Sequence, residues 1–386
     1  MDYRAGSEFF SQKNIRKIYG ARFTDNNKVT LLWREHESFR KIFDAVRKAN
    51  ELICLAFYIY RDDETGKELT GILKQKAREG IKVYLIYDHF GSISTPWKFW
   101  KDMKNAGIQI KASHPFKWSS PLHYIHRDHR KLVIIDGGVA FIGGLNIANE
   151  YRGYLLKRKK GWRDTGIFME GPVAGLLLEQ FSKSWVIWGG IPFVFHNKIS
   201  PVREGVSALP VFAASARDRR RMRKLIYYSI NYASKSIYLT TAYFAPSRRM
   251  IQILENAVRR GVDVKLLLPG KSDIYAVSYA GRAFFTKLLR TGVRIYTYQG
   301  EILHAKTSVF DEVWSIIGSA NLDFQSLRRN DEGNVGIVDS AFGKQMVDIF
   351  NEDLNNSTEI ILDTWLKRPL SEKLKEHFFA LFRRRL

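Results

Sequence analysis

The chain has 386 residues, of which 45% are hydrophobic and 26% are charged. This composition suffices for one large or two ordinary globular domains with real cores, and it argues against a disordered chain. The net charge of +23, from 62 Lys and Arg against 39 Asp and Glu, predicts attraction to polyanions such as nucleic acid, anionic lipid or phosphorylated substrates. Charge alone does not choose among these partners.

Cys54 is the only cysteine and lies in the apolar run LICLAFYIY. A disulfide within the chain and a thiolate zinc site are therefore excluded, and we interpret Cys54 as a buried core thiol. The longest apolar runs, at 52–60 and 186–195, fall well short of the roughly 20 residues needed to cross a bilayer. Residues 1–20 lack the apolar stretch of a signal peptide. The sequence therefore predicts a soluble or peripheral polypeptide.

Strand-like and helix-like segments alternate in the same order in both halves of the chain. The strand-like runs at 53–60 and 237–244 are each followed by a helical pattern that ends at a glycine and leads into another strand. A second helix-to-strand passage follows in each half, at 103–110 and 288–296. Repeated alternation of this kind predicts an α/β fold of two homologous domains packed as a pseudo-dimer.

We place the domain boundary near 195–208, which divides the chain into residues 1–200 and residues 201–386. The halves differ in the loop before the motif described next. The first half has 22 residues from Gly107 to His129, whereas the second has 12 from Gly292 to His304. The additional loop, SHPFKWSSPLHYIHRD, is aromatic, basic and rich in histidine.

Each half then presents the same sparse motif, HRKLVIIDGGVAFIGGLN at 129–146 and HAKTSVFDEVWSIIGSAN at 304–321. In both, a Lys follows a His by two residues, so on a strand both side chains project from one face and can contact one phosphate. The Asp begins a turn and a second strand-like run returns toward the His, which predicts a hairpin. A single such pattern is only moderately specific, but its duplication inside two repeats is a strong signal.

The returning strand brings small and amide residues near the His. Small residues permit close backbone approach, and an Asn amide can donate to a phosphoryl oxygen. A carboxylate that accepts from the far ring nitrogen of a His fixes its tautomer, and one further acid follows in each half. The candidate residues are His129, Lys131, Asp136, His304, Lys306 and Asp311 in the motifs, Gly144, Asn146, Ser319 and Asn321 at the phosphate, and Glu150 and Glu332 as the orienting acids.

The histidines His114, His123 and His126, together with His129, allow a zinc cluster as an alternative. The second half reproduces none of them except the partner of His129, and no Cys or paired acidic ligands accompany them, so we predict no metal site. We assign these three histidines to loop packing or substrate contact. The basic run ARDRRRMRK at 216–224 precedes a helical pattern, and we interpret it as a solvated helix face.

On these residues the sequence resembles the phospholipase D superfamily, which is defined by paired HKD motifs, over about residues 40–370. Within the superfamily it is most similar to bacterial cardiolipin synthases, through the segments GGLNIANEY, WRDTGIFMEGPVAGLLLEQFSKSW, YFAPS and IGSANLDFQSLRRNDEGNVGI. The GG of the first motif, where many members have GS, is similar to the synthases. The resemblance implies two α-β-α sandwich domains related by a pseudo-twofold, with the active site at their interface.

The resemblance also implies an activity: phosphatidyl transfer between two molecules of phosphatidylglycerol through a phosphatidyl-histidine, with no cofactor. In this mechanism His129 is the nucleophile, His304 is the general acid, and Asp136 and Asp311 are mainly structural. The phosphate is held by Lys131, Lys306, Asn146 and Asn321, and the histidines are oriented by Glu150 and Glu332. The alternatives that remain open are a hydrolytic phospholipase D, a nuclease of the superfamily, and a non-catalytic protein that binds anionic lipid or nucleic acid.

The implied partner is an anionic phospholipid surface containing phosphatidylglycerol and cardiolipin, and nucleic acid is not expected. Many cardiolipin synthases have membrane-spanning helices ahead of the catalytic region, whereas this sequence shows none, so we expect a peripheral enzyme on the cytoplasmic face of a bacterial membrane. Three stretches combine bulky apolar side chains with cations, at 96–101, 114–124 and 377–386. We favour 114–124 as a contact with the bilayer, because only the first half has this loop and it leads into His129.

Overall fold

The computed structural model describes residues 8–116, 126–153, 160–195 and 204–383. The strands are β1 (Thr24–Leu32), β2 (Leu52–Phe57), β3 (Lys82–Asp88), β4 (Gln109–Ser113), β5 (Lys131–Ile135), β6 (Val139–Gly143), β7 (Gly166–Glu170), β8 (Val206–Ala213), β9 (Ser236–Thr240), β10 (Phe244–Ala245), β11 (Asp263–Pro269), β12 (Arg294–Tyr298), β13 (Thr307–Phe310), β14 (Trp314–Gly318), β15 (Leu322–Asp323), β16 (Glu332–Val338) and β17 (Ser357–Glu359).

The helices are α1 (Gln12–Tyr19), α2 (Glu35–Arg47), α3 (Glu64–Arg78), α4 (Trp97–Asn105), α5 (Asn149–Arg152), α6 (Pro172–Ile187), α7 (Ala216–Tyr232), α8 (Arg248–Arg259), α9 (Tyr275–Arg282), α10 (Phe285–Thr291), α11 (Phe324–Arg328), α12 (Ser340–Asn355), α13 (Leu362–Leu366) and α14 (Leu370–Leu381). The predicted helical patterns end where a left-handed residue is needed. After α3 and α8, Gly80 and Gly261 both have φ of 87°, a conformation that glycine adopts without steric cost.

Fifteen strands form one mixed sheet in the order β17-β12-β11-β9-β13-β14-β16-β8-β1-β7-β6-β5-β2-β3-β4. The order is symmetric about the antiparallel contact between β1 and β8. Outward from this contact, the first half adds β7, β6, β5, β2, β3 and β4, and the second half adds β16, β14, β13, β9, β11 and β12, followed by the edge strand β17, which has no counterpart in the first half. The predicted α/β fold with two homologous domains in a pseudo-twofold arrangement is therefore confirmed.

Helices cover both faces of the sheet. In the first half α2, α3 and α4 bury one core, with Phe39, Leu69 and Trp100 among its residues. On the opposite face, α6 and α12 share a core that crosses from one half into the other, and the thiol of Cys54 is buried in it as predicted. The two halves are thus joined by packing as well as by strand pairing.

The first helix packs on the second half of the molecule. Ile15 and Tyr19 of α1 are buried in the core of the second half. The Tyr19 hydroxyl also donates a hydrogen bond to the carbonyl oxygen of Phe212 at 2.8 Å. The division of the chain at about residue 200 stays a prediction, but residues 12–19 lie with the part of the chain that follows it.

The described helices include none that is both long and apolar enough to cross a bilayer. The loop that we favoured for contact with a membrane falls mostly on residues 117–125, outside the described part of the chain. Of the aromatic residues in that loop, Phe116 is described and is 39% exposed.

Candidate active site

The two motifs lie at equivalent places in the sheet and face one cavity. Both predicted hairpins are present, with β5 antiparallel to β6 and β13 antiparallel to β14. The histidines come just before the first strand of each hairpin. His129 and His304 line the same cavity of about 720 Å³, which residues from both halves enclose.

The backbone at each histidine pairs with the opposite half of the chain. The N–H of His129 donates to the carbonyl oxygen of Asp331 at 2.8 Å, and the N–H of His304 donates to that of Arg163 at 2.7 Å. Isolated bridges join the same segments, at Asp128 with Asp331 and at Arg163 with Leu303. Each histidine is therefore positioned from across the interface.

The histidine side chains also contact the opposite half of the chain. His129 Nδ1 lies 3.2 Å from Glu332 Oε2, and His304 Nδ1 lies 2.7 Å from Asp164 Oδ2. His129 Nδ1 also lies 3.0 Å from the carbonyl oxygen of Ser319. Because a carbonyl oxygen only accepts, this nitrogen carries the proton, and Nε2 keeps the lone pair that a nucleophile needs.

Glu332 contacts a histidine, but Glu150, which the sequence suggested as the other orienting acid, is engaged elsewhere. Glu150 Oε1 accepts from Arg61 Nε at 2.9 Å, and both residues line the cavity. The acid at His304 is Asp164, so the assignment of Glu150 was wrong. The reason is that the orienting acid lies where the strand after the hairpin begins, at β7 or β16, whereas Glu150 lies in the short helix α5 before β7.

Strand register shows that Asp164 and Glu332 are equivalent. Gly143 at the end of β6 lies opposite Gly166, and Gly318 at the end of β14 lies opposite Asn334. Each acid comes two residues before that partner. The strand pairing therefore aligns Asp164 of WRDTGIFM with Glu332 of RNDEGNVGI, an equivalence that distance from the motif does not show.

Gly144 and Ser319 occupy equivalent positions, and the difference between them has a steric reason. A Cβ on Gly144 would lie 2.0 Å from Asp164 Oδ1. In the second half the Ser319 hydroxyl donates to Glu332, and it accepts from the backbone N–H that follows this acid at 3.0 Å. Asp164 Oδ1 accepts from the corresponding N–H directly, at 2.7 Å. The shorter acid in the first half therefore occupies the space that the serine hydroxyl fills in the second.

This arrangement corrects the prediction that Gly144 and Ser319 hold the phosphate. The backbone N–H of Gly144 donates to the carbonyl oxygen of Thr165 at 3.1 Å, and that of Ser319 donates to Gly333 at 3.0 Å. Both donors are used to join strands. These two residues support the orienting acids and do not provide donors to the cavity.

The two asparagines are held in the same way in both halves. The side-chain oxygen of Asn146 accepts from the backbone N–H of Ile59 at 3.0 Å, and that of Asn321 accepts from Tyr243 at 3.2 Å. These contacts leave the amide nitrogens as the available donors. Within the described ranges, Asn146 Nδ2 is buried without a hydrogen-bond acceptor, which suits a donor whose partner is a bound phosphoryl oxygen.

The two lysines lie behind the histidines, fully enclosed. Lys131 Nζ donates to the carbonyl oxygen of His129 at 2.5 Å, and Lys306 Nζ donates to that of His304. Burial lowers the pKa of Lys131 to about 7, and the charge of Lys306 contributes to this shift. Burial also lowers the pKa of Lys306 to about 8, against the opposing effect of Asp164. Two buried cations side by side are costly unless an anion joins them.

The same environment acts on the histidines. Burial lowers the pKa of His129, and the charge of Lys131 lowers it further, whereas Glu332 opposes both effects. Burial and Lys306 lower the pKa of His304 well below its ordinary value. Lys306 Nζ lies 2.7 Å from His304 Nδ1, but we assign the Nδ1 proton to the bond with Asp164, because a carboxylate oxygen only accepts and the Lys306 ammonium has the carbonyl oxygen of His304 as another acceptor. An anion in the cavity would favour the protonated imidazole.

Asp136 and Asp311 lie at the turns of the hairpins, at the opposite ends of β5 and β13 from the histidines. The Asp136 carboxylate accepts three backbone N–H groups of residues 50–52, at 2.8 to 2.9 Å. The Asp311 carboxylate accepts those of residues 234–236 in the same way. Both acids therefore tie a hairpin turn to the start of the neighbouring strand, which is the structural role that the resemblance implied.

Several residues of the cavity were not predicted from the sequence. The ring of Tyr58 lies 5.1 Å from that of His129, and the ring of Tyr151 lies 5.2 Å from that of His304, measured between centroids. Arg61 and Arg127 add cationic groups to the lining. Tyr58 follows β2 directly, so its position at the end of a buried strand was the available signal.

The loop histidines contact the second half. His114 Nε2 lies 3.1 Å from Asp331 Oδ2, and His126 Nδ1 lies 3.1 Å from the carbonyl oxygen of Arg329. His123 lies outside the described residues. In the ranges that the structure describes, no group of three or more His, Cys, Asp or Glu side chains could hold a metal ion.

Known proteins resemble this chain over most of its length. The family of cardiolipin synthase, PLD-like domains matches residues 42–158 and 226–354. Cardiolipin synthase A of Pseudomonas syringae pv. syringae (strain B728a) is 35% identical over 343 residues, which cover 87% of this chain and 70% of that one. The major cardiolipin synthase ClsA of Bacillus subtilis (strain 168) is 33% identical over 365 residues, covering 92% and 74%.

A solved structure supports the fold. The phosphatidylserine synthase of Haemophilus influenzae Rd KW20 superposes with a TM-score of 0.74, at 13% identity, over 97% of this chain and 100% of that one. The chain belongs to the cardiolipin synthase family of the phospholipase D superfamily. It is accordingly an enzyme of the phosphatidyltransferase class.

Proposed function

We propose that the protein is a cardiolipin synthase that transfers the phosphatidyl group of one phosphatidylglycerol to the glycerol hydroxyl of a second. The observation that carries the proposal is the duplicated His, Lys and Asn set around one cavity, with each histidine held by an acid of the opposite half. Such a pair provides one nucleophile and one proton donor to a single phosphate.

In the first step, His129 Nε2 attacks the phosphorus of the donor and the bond from phosphorus to the glycerol oxygen breaks. His304 Nε2 gives its proton to that oxygen, so that neutral glycerol leaves and a phosphatidyl group stays on His129. The carbonyl oxygen of Ser319 and the carboxylate of Glu332 support this role of His129, because both stabilise the positive charge that develops on its ring.

In the second step, His304 Nε2 takes the proton of a primary hydroxyl of the acceptor phosphatidylglycerol. The hydroxyl oxygen then attacks phosphorus, the bond to His129 Nε2 breaks, and cardiolipin is released. The carboxylate of Asp164 stabilises the imidazolium that forms on His304 each time it holds the proton. Glycerol is the other product, and both histidines return to their initial states.

The lysines and asparagines provide the charge and dipoles around the phosphate. Lys131 and Lys306 compensate the charge of the phosphodiester, and the amides of Asn146 and Asn321 donate where negative charge grows in the transition state. In this scheme the protein supplies the whole electrostatic environment of the reaction, and we expect turnover without an added cofactor or metal.

We further propose that the protein acts at an anionic membrane surface, peripherally and on the cytoplasmic face of a bacterial membrane. The net charge of +23 supports attraction to such a surface. We do not expect nucleic acid as a partner.

The test is mass spectrometry of lipids after incubation with phosphatidylglycerol vesicles and EDTA. We expect cardiolipin and free glycerol, and neither product from the His129→Ala variant. Phosphatidic acid without cardiolipin would instead indicate a hydrolytic phospholipase D. Activity that EDTA abolishes and zinc restores would contradict the covalent-histidine mechanism.

The assignment of the nucleophile needs a separate experiment. A phosphatidyl ester of p-nitrophenol has a leaving group that departs without general acid catalysis, so His304→Ala should still form the covalent intermediate but should not resolve it efficiently. We expect the phosphatidyl group on His129 when the trapped protein is digested and sequenced. A label on any other residue would reverse or remove the assignment.

A further inference from the structure

A second large groove lies next to the active-site cavity, and arginines dominate its lining. Its volume is about 630 Å³, and it is enclosed by α7, α8, α11 and the residue that follows α14 by two positions. We call it the arginine groove, and its cationic residues are Arg223, Arg248, Arg249, Arg328 and Arg383.

The described residues that line the arginine groove include no Asp or Glu. The guanidinium of Arg223 donates to the carbonyl oxygen of Leu327 at 3.1 Å, and Arg249 lies over the ring of Tyr227. Neither contact compensates a charge. Burial and the nearby charge of Arg328 both lower the pKa of Arg223, as expected where cations lie close together.

The backbone adds to this positive field. The twelve-residue helix α8 begins at Arg248, and its cap residue Ser247 also lines the groove. The partial positive charge of a helix N-terminus favours anions, and guanidinium groups bind phosphate oxygens in a two-pronged geometry. Several arginines and a helix N-terminus around one space form a site for a phosphate group.

The arginine groove and the active-site cavity share a wall. In α11, Phe324 and Arg328 line the groove, whereas Gln325 and Ser326 line the catalytic cavity. A molecule bound in the groove therefore lies on the other side of a single short helix from the reacting lipid.

Helix α14, which ends two residues before Arg383 of the groove, carries exposed apolar side chains. Leu370, Leu374, Phe378 and Leu381 are 71%, 63%, 57% and 77% exposed. Their spacing of three and four residues places them on one side of the helix. The next residue, Phe382, is 40% exposed and precedes Arg383, which lines the groove. An apolar helix face that ends in a cluster of cations is typical of a helix that lies in the surface of an anionic bilayer.

We propose that the arginine groove binds the phosphate of an anionic phospholipid in the membrane surface, while the apolar side of α14 lies in the same surface. This site is separate from the catalytic phosphate site, and it would hold the active-site cavity against the bilayer. Charge complementarity selects an anionic lipid, and the adjoining apolar surface selects a lipid in a bilayer over a soluble phosphate.

The test uses the full chain and two triple variants that remove the same charge. Arg248→Gln/Arg249→Gln/Arg328→Gln changes the groove, and Arg40→Gln/Arg78→Gln/Arg290→Gln changes exposed arginines elsewhere. Binding is measured by sedimentation with vesicles of phosphatidylglycerol and phosphatidylcholine, and with phosphatidylcholine alone. We expect the groove variant to lose up to about 100-fold in affinity for the anionic vesicles. The control variant should lose about threefold or less, because distant surface charges are screened.

A second arm separates the two parts of the surface. Leu374→Ser/Phe378→Ser should also weaken binding, and its effect should persist in concentrated salt, whereas the effect of the arginine variant should fade. Equal losses in the two triple variants would overturn the proposal, because they would indicate attraction by net charge alone. The proposal would also be wrong if the groove bound inorganic phosphate tightly while the groove variant bound vesicles as well as the unmodified protein does. It would be wrong as well if single-stranded DNA displaced the protein from the vesicles.

The inference rests on the proposed function only in the choice of lipid, and the two can fail separately. Vesicle binding needs no turnover, so it tests the groove even if no cardiolipin forms. On a short-chain, monomeric phosphatidylglycerol the groove variant should keep its activity within about twofold, because its catalytic residues are unchanged. A large loss on the monomeric substrate would show that the arginines act in catalysis, and the docking role would be wrong.

Discussion

Asp164 and Glu332 each contact the Nδ1 atom of a histidine, although their side chains differ in length by one methylene group. The neighbouring residues Gly144 and Ser319 compensate for this difference in length. Neither acid can therefore be exchanged without its neighbour. The GG of the first motif and the GS of the second follow from which acid each half uses.

This coupling predicts that the pairs can be interchanged together but not separately. Gly144→Ser should reduce kcat by at least about 100-fold, because the new side chain displaces Asp164 from His304. Adding Asp164→Glu should recover most of the loss, since it reproduces the Ser and Glu pair. Steady-state kinetics on soluble phosphatidylglycerol provides the comparison, with circular dichroism to show that each variant is folded. If the double variant is as poor as the single one, the two positions are not coupled in this way.

The depressed pKa values of the lysines predict how phosphate binding depends on pH. In the empty site Lys131 and Lys306 have pKa values of about 7 and about 8. A bound anion favours the charged forms and raises both values, so binding at pH 8 should take up protons and should weaken as the pH rises further. At about pH 6 both amines are already charged, so the lysines should take up almost no protons, and the uptake that remains belongs to the histidines, whose lowered pKa values the anion also raises.

Calorimetric titration with sulfate, in buffers of different ionisation enthalpy, measures this uptake directly. Sulfate is suitable because it carries no proton of its own in this range. Activity should respond in parallel: kcat/KM should fall above about pH 7, where Lys131 loses its charge in the empty site, and more steeply above about pH 8, where Lys306 does too. On the acidic side it should fall only below the ordinary histidine pKa of about 6.5, because the pKa of His129 is lowered. Proton release on binding, or none at pH 8, would contradict the lysine assignment.

In the hairpins, substitution of Asp311 tests whether the Asp of the motif stabilises the fold or takes part in catalysis. Asp311→Ala removes the acceptor of the backbone N–H groups at 234–236, and we expect it to lower the free energy of unfolding by about 2–4 kcal/mol. The kcat of the remaining folded enzyme should stay within about tenfold, because the carboxylate lies at the far end of β13 from His304. Urea unfolding and active-site titration give the two quantities. A loss of a thousandfold in kcat at full folding would place this residue in the chemistry.

The elements show which parts of the molecule the sequence could predict. The hairpins, the repeated order of strands and helices, and the convergence of His129 and His304 follow from local periodicity and from the duplication. The acid at His304 could not be predicted by spacing, because 18 positions separate Asn146 from Asp164 but only 11 separate Asn321 from Glu332. Strand register is conserved between the halves where loop length is not, and register is known only once the sheet is formed.

Contacts between elements that are distant in the sequence were harder to predict. The run at 216–224 was interpreted as a solvated face, yet Arg219 forms an ion pair with Asp331 at 3.0 Å and Arg223 lines the arginine groove. The pattern of charges along one helix does not reveal which other elements bring their own cations to it. The exchange of acids between the halves was equally hidden, because it depends on how the two repeats face each other.

For the whole molecule, the joined sheet predicts one cooperative unfolding transition. The β1–β8 contact, the core shared by α6 and α12, and the packing of α1 on the second half all cross between the repeats. We therefore expect a single calorimetric peak whose van't Hoff enthalpy equals the measured enthalpy. Two resolved transitions would show that the repeats unfold independently despite these contacts.

The exchange of acids also bears on the protein while it is being synthesised. Glu332 follows His129 by 203 positions, so a growing chain contains this histidine long before it contains the acid that contacts it. Asp164 is made early, but the His304 it serves comes 140 positions later. A nascent chain on the ribosome thus has no aligned pair of histidines until most of the second repeat has been translated. We therefore expect a translation product that stops before residue 332 to have no phosphatidyl transfer activity, because its His129 lacks the acid that contacts it.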